Sequence, residues 1–141
     1  DKEVDFKNIP VFIEASGQEV LEILQVISKD LSDKVVNLDS EKRKSLHISA
    51  VFACNFVNYM YTVAGDILDK NNLDFDYLIP LIDETSKKIH EMKPVSAQTG
   101  PAKRYDNKII EQHINMLSYS PELAELYETI SKRIFERHKQ Q

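Results

Sequence analysis

The spacing of apolar positions changes twice near the start of the chain and then settles into a helical period. Ile9-Pro10-Val11-Phe12-Ile13-Glu14-Ala15 is short, apolar and β-branched, which predicts a buried strand with Pro10 near its start, where a missing N–H is tolerated. Ser16-Gly17-Gln18-Glu19 reads as a capping box, and Val20, Leu21, Leu24, Ile27 and Leu31 follow at helical spacing. Lys34 to Leu38 is strand-like again. A β-α-β opening of this length favours parallel strands joined by a right-handed crossover. Two strands alone make a marginal sheet, so either other strands belong beside these or a second copy of the chain supplies them.

From Asp39-Ser40, both suitable caps, one long helix is predicted to run to about Lys70. Leu46, Ala50, Ala53, Val57, Met60, Ala64 and Ile67 step by four and three along it. Val51, Cys54, Tyr61 and Leu68 form a second apolar line, which predicts neighbours on two sides. Asn71-Asn72 ends this helix, and Leu78, Leu81, Ile82, Thr85 and Ile89 mark another, kinked at Pro80 or starting near it. Lys93 to Tyr105, with Pro94, Gly100 and Pro101, reads as a long loop. Asp106 can cap a helix carrying Ile110, His113, Ile114 and Leu117. Ser120-Pro121-Glu122 opens a last one along Leu123, Leu126, Tyr127, Ile130 and Ile134.

Composition narrows the class. With 42% hydrophobic and 29% charged residues and only three glycines among 141 residues, the chain should bury an apolar core and be rich in helix. A net charge of -5 with scattered basic residues argues against a nucleic-acid partner. No apolar run reaches the roughly 20 residues of a membrane span. The lone Cys54 fits a reducing compartment, and cytoplasm is the expected location. The chain opens at Asp1 without an initiating Met, and the expectation is that it is a piece of a longer polypeptide.

Candidate chemistry is sparse. Gly17, Gly65 and Gly100 are too far apart to form a phosphate-binding loop, so no dinucleotide site is expected in this segment, nor is a metal set or a hydrolase motif. His47 precedes Asn58 by eleven residues, close to three turns, so both are expected on one side of the long helix, with Asn55 on a neighbouring strip. These three groups suit a polar substrate or a proton donor; the plainer alternative is that they hydrogen-bond neighbours in a packed core. The run from Ser96 through Gln98, Thr99 and Gly100 to Arg104 is dense in hydrogen-bonding groups. Arg104 there suits a carboxylate or phosphate, or pairs with a nearby acid. Cys54 and His113 are expected as core residues, and His90 and His138 as exposed.

Two stretches carry a resemblance. His47-Ile48-Ser49-Ala50-Val51-Phe52-Ala53-Cys54-Asn55-Phe56-Val57-Asn58 and Ala97-Gln98-Thr99-Gly100-Pro101-Ala102-Lys103-Arg104-Tyr105-Asp106 resemble the two signature segments of Rossmann-like proteins with a DUF2520 C-terminal domain. Leu78 to Thr85, His113 and Pro121 to Tyr127 fit as well. The family is similar to the pyrroline-5-carboxylate reductase and 6-phosphogluconate dehydrogenase lineage, in which a Rossmann domain precedes an all-helical domain that dimerises and closes the cleft.

The resemblance implies a mainly α fold: a helical 6-phosphogluconate dehydrogenase C-terminal-like domain over residues 40–141, preceded over residues 1–39 by a β-α-β remnant of a Rossmann sheet. It implies a homodimer, a missing N-terminal Rossmann domain, NADP or NAD in the complete protein and none on this fragment alone, and a small carbonyl or imine substrate. His47 would be the catalytic candidate, with Asn55, Asn58, Gln98, Thr99, Gly100 and Arg104 lining the cleft. Related dehydrogenases place an asparagine one turn after the proton-donating lysine; here His47 has Val51 one turn on and Asn55 two turns on. The alternative function is a non-catalytic helical module for dimerisation or nucleotide sensing.

Overall fold

The computed structural model describes residues 4–139. It divides after Asp74 into two compact units. In the first, strand β1 (Val11–Ile13), helix α1 (Gln18–Leu31) and strand β2 (Val35–Asn37) form the expected parallel β-α-β unit, with Val11, Phe12 and Ile13 in register with Val35, Val36 and Asn37. The capping box does not form. Gly17 occupies the N-cap with extended backbone, and no side chain caps the helix. At the other end the fully buried Ser32 ties three elements together: its hydroxyl donates to the Ile9 carbonyl at 2.5 Å and accepts the Lys34 N–H at 3.0 Å.

The long helix is present but not uniformly α. Helix α2 (Ser40–Ala50) passes without a break through a π-helical segment, Val51–Phe56, into helix α3 (Val57–Lys70). Asp39 caps it as expected, its carboxylate accepting the Lys42 N–H at 2.8 Å. Asn72, at φ 55, closes the C-terminus: Leu73 N–H reaches the Leu68 carbonyl and Asn72 N–H reaches that of Asp69, the bond pair that satisfies the last free carbonyls of a helix.

In the second unit a 3₁₀ turn (Phe75–Leu78) leads into helix α4 (Ile79–Glu91), so Pro80 sits in the first turn, where its missing N–H is harmless, and no kink is needed. The expected long loop holds two single-turn helices, α5 (Pro94–Ala97) and α6 (Pro101–Arg104), each opened by its proline. Helices α7 (Asn107–Met116) and α8 (Pro121–Lys139) complete the unit; α6 and α7 pack on α8, and Asp106 caps α7 through the Ile109 N–H at 3.3 Å. His113 is half-buried and satisfied, its Nδ1 lying 2.7 Å from the Tyr127 hydroxyl.

The expected core is small. Among the described residues only Ile13, Ala102 and Leu117 are buried apolar side chains. The sheet covers the Leu21, Leu24 and Ser28 side of α1, while Val20, Ile23, Ile27 and Leu31 remain exposed. The long helix likewise exposes Leu46, Phe52, Phe56 and Tyr59, and Cys54 is exposed rather than on an inner face. The chain thus carries apolar faces that its own elements do not cover, and such faces mark surfaces for association.

Candidate functional site

His47 lies in the last turn of α2, Asn55 within the π-helical segment and Asn58 in the first turn of α3. All three are exposed, and no side chain or backbone group among the described residues hydrogen-bonds the imidazole or either amide. The partners that a packed core would supply are absent among the described residues. The π-helical run also alters their facing. An i→i+5 run winds roughly 4.4 residues per turn against 3.6 for an α-helix, so it withholds about 100° of rotation over six residues, as one inserted residue would. With that winding His47 and Asn55 come to within about 10° of one azimuth instead of about 80°, and Asn58 moves from about 20° to about 80° away. Ideal winding thus favours Asn55 over Asn58 for the His47 side.

The base of this helix is held by a cluster that the sequence reading missed. Glu14, just past β1, accepts the Ser40 N–H at 2.8 Å and the Ser40 hydroxyl at 2.7 Å, and pairs with Arg43. The Ser40 hydroxyl chiefly, then the Ser40 N–H and the Arg43 charge, hold the Glu14 carboxyl below the ordinary glutamate range. Nearby, Phe12, Leu38, Lys42, Ser45, Leu46 and Ser49 line a hollow of about 400 Å³. None of the expected site residues borders it.

In the second unit, Gln98 and Gly100 are half-buried while Thr99 and Arg104 are exposed. Gly100 has φ 97 and ψ 176, a region open essentially to glycine alone. Lys103, absent from the sequence-based set, stabilises this turn: its Nζ donates to the Gln98 carbonyl at 2.9 Å, while the Gln98 amide donates to the Thr99 carbonyl at 3.1 Å. Arg104 has no ion pair or hydrogen bond among the described residues, so its fork is available to an anion. Tyr105 follows in the left-handed conformation, φ 52, its ring stacked on Phe135 at 4.1 Å.

His138 is half-buried rather than exposed as expected. Its Nδ1 lies 2.8 Å from the Ile134 carbonyl and its Nε2 3.0 Å from the Val95 carbonyl, joining the end of α8 to α5 just before the Gln98 turn. His90 is exposed as expected. Among the described residues no His, Cys, Asp and Glu group could hold a metal, and no helix is long and apolar enough to cross a membrane. The two sets of expected site residues fall in different units, with His47, Asn55 and Asn58 in the first and Gln98 to Arg104 in the second.

Residues 9–134 match the family described as "Domain of unknown function (DUF2520)". Among solved structures, a Bacteroides fragilis protein proposed to be an NADP oxidoreductase, BF3122, is similar at 53% identity and a TM-score of 0.89 over 96% of this chain. Protein TM1727 of Thermotoga maritima is similar at 28% identity and a TM-score of 0.71 over 85% of it. The chain spans about half of each, 52% and 49% of their lengths. No curated protein matches it.

Proposed function

Since this chain belongs to the DUF2520 family, we propose that it is the C-terminal, substrate-cleft and dimerisation portion of a larger cytoplasmic NADP-dependent oxidoreductase acting on a small carbonyl or imine. The similarity over nearly its whole length to half of a protein proposed to be an NADP oxidoreductase carries this reading. The half-length coverage also fits a β-α-β unit that ends a longer sheet, so residues 1–39 are assigned to that sheet and residues 40–141 to the helical domain.

NADP(H), bound chiefly by the other half, supplies the hydride. The fit of this chain to such a group is partial: it has no glycine-rich phosphate loop, but it offers an exposed imidazole and two exposed amides without partners, which are groups for a reacting end rather than for phosphates. His47 would donate a proton to the carbonyl oxygen or imine nitrogen as the hydride adds to carbon, or would anchor that atom. An amide at Asn55 or Asn58 orients the substrate or the nicotinamide carboxamide. Arg104 holds an anionic substrate group in the turn built by Gln98, Thr99 and Gly100, where the guanidinium is unpaired among the described residues. The exposed Phe52, Phe56 and Tyr59 support a homodimer interface along the long helix.

The same exposed aromatics favour a second reading, a helical module that dimerises or senses nucleotide without catalysis. Fluorescence titration of NADPH separates the two from any unrelated role. The complete protein is expected to bind NADPH and the 141-residue chain alone is not. Binding without turnover of any carbonyl or imine favours the sensing module, and no binding by the complete protein ends the oxidoreductase and sensing readings and leaves dimerisation alone.

A further inference from the structure

The long helix changes its winding at one place among the described residues, Val51–Phe56, which begins after His47, contains Asn55 and ends before Asn58. π-Helical turns are rare and worse packed than α-helical ones, and they recur at functional sites because they re-aim side chains. The re-aiming here is selective. It carries Asn55 onto the His47 side and takes Asn58 off it, by the rotation of about 100° that one extra residue introduces. Both His47 and Asn55 are exposed and unpartnered among the described residues, so neither is held in place by a structural hydrogen bond.

We infer that the π-helical segment Val51–Phe56 is a positioning device that makes Asn55, and not Asn58, the companion of His47 in the cleft, with the Asn55 amide facing the nicotinamide carboxamide. This rests on the proposed oxidoreductase reading. The chemistry is complementary: an amide offers one acceptor and two donors, the same set that a carboxamide presents, so the two pair reciprocally. The spacing is suitable too. Eight residues of mixed α and π winding separate His47 from Asn55 by about 11 Å along the axis, room for a small substrate at the imidazole and the carboxamide at the amide. No other polar side chain of the π-helical segment competes, since its remaining residues are Val51, Phe52, Ala53, Cys54 and Phe56.

The test uses Asn55→Cys and Asn58→Cys, each in the complete protein carrying Cys54→Ser, alkylated with N-ethylmaleimide and mapped by mass spectrometry with and without saturating NADP+. Bound NADP+ is expected to slow labelling at position 55 by about tenfold or more and to leave position 58 within about threefold, because thiol reactivity requires access. Equal protection of both, greater protection at 58, or protection of neither while NADP+ binds overturns the inference and leaves the oxidoreductase reading standing. Failure of NADP+ to bind the parent complete protein overturns that reading, and the inference with it.

Discussion

The carboxylate of Glu14 grips the first residue of the long helix, accepting from the Ser40 backbone N–H at 2.8 Å and from the Ser40 hydroxyl at 2.7 Å. It thereby fixes the angle at which the helix leaves the β-α-β unit, and Arg43 one turn along reinforces it. Hydrogen bonds to the ionised form hold the Glu14 carboxyl below its ordinary range. A depressed folded-state value means that the contribution is present above the ordinary glutamate range and is lost as pH falls through the folded value. Glu14→Gln is therefore expected to lower the thermal midpoint by a few degrees at neutral pH and to match the parent in acid. Melting curves across pH check this, and a difference that grows on acidification contradicts it.

Tyr105 stands in a backbone conformation that disfavours a bulky side chain, and its ring is stacked on Phe135 at an interplanar angle of 25°. The left-handed geometry costs about 1–2 kcal/mol, and the stack offsets it. Phe135→Ala is expected to destabilise the protein by about 2 kcal/mol, since it removes the ring and leaves Tyr105 strained. Tyr105→Gly loses the stack and the strain together, so its net effect should be under about 1 kcal/mol. Denaturant titrations compare the two; equal losses would mean that the stack does not offset the strain.

Gly100 is the one glycine whose backbone demands it, at φ 97. A methyl group there meets no atom, so the penalty for Gly100→Ala is conformational, about 1–3 kcal/mol, and local. Faster amide exchange over residues 98–104, with helices α7 and α8 unchanged, is the expected result by hydrogen-exchange mass spectrometry. Loss of protection across the whole second unit would show instead that the turn is integral to its fold.

The hydrogen bond between His113 and Tyr127 joins α7 to α8. Tyr127→Phe is expected to cost about 1 kcal/mol, the ordinary worth of one such bond, and to leave NADPH binding by the complete protein untouched. A large loss of NADPH affinity would place this pair in the site rather than in the scaffold.

Much of this fold was legible because long amphipathic helices repeat their apolar positions often enough to show. The β-α-β opening, the Asp39 and Asp106 caps, and the helix starts at Pro80 and Pro121 all follow from local residue chemistry. Helices α5 and α6 did not, because four residues opened by proline carry the same breaker signals as a loop. The π-helical segment was hidden for a different reason: its apolar residues fit an α-helical stripe equally well, and only the hydrogen-bond pattern distinguishes the two.

The family was legible, since the resemblance to the DUF2520 signatures is shown by the match over residues 9–134, while His47, Asn55, Asn58, Gln98, Thr99, Gly100 and Arg104 rest on residue type and that resemblance as a proposed site. Facing was not legible, since it depends on winding. Nor were the roles of Glu14, Lys103 and His138, whose partners lie elsewhere in the chain or are backbone carbonyls that no periodicity reveals. Cys54 looked internal because its neighbours are apolar, yet no described element covers it.

The most direct measurement of the central claim is NADPH oxidation by the complete protein against a panel of small carbonyls and imines, parent beside His47→Ala. The parent is expected to turn over at least one of them. The variant should lose about 10²–10⁴-fold in kcat, the usual contribution of a positioned proton donor, with NADPH affinity retained. Turnover unchanged in His47→Ala contradicts the assigned role of His47, and a parent that binds no NADPH contradicts the account as a whole.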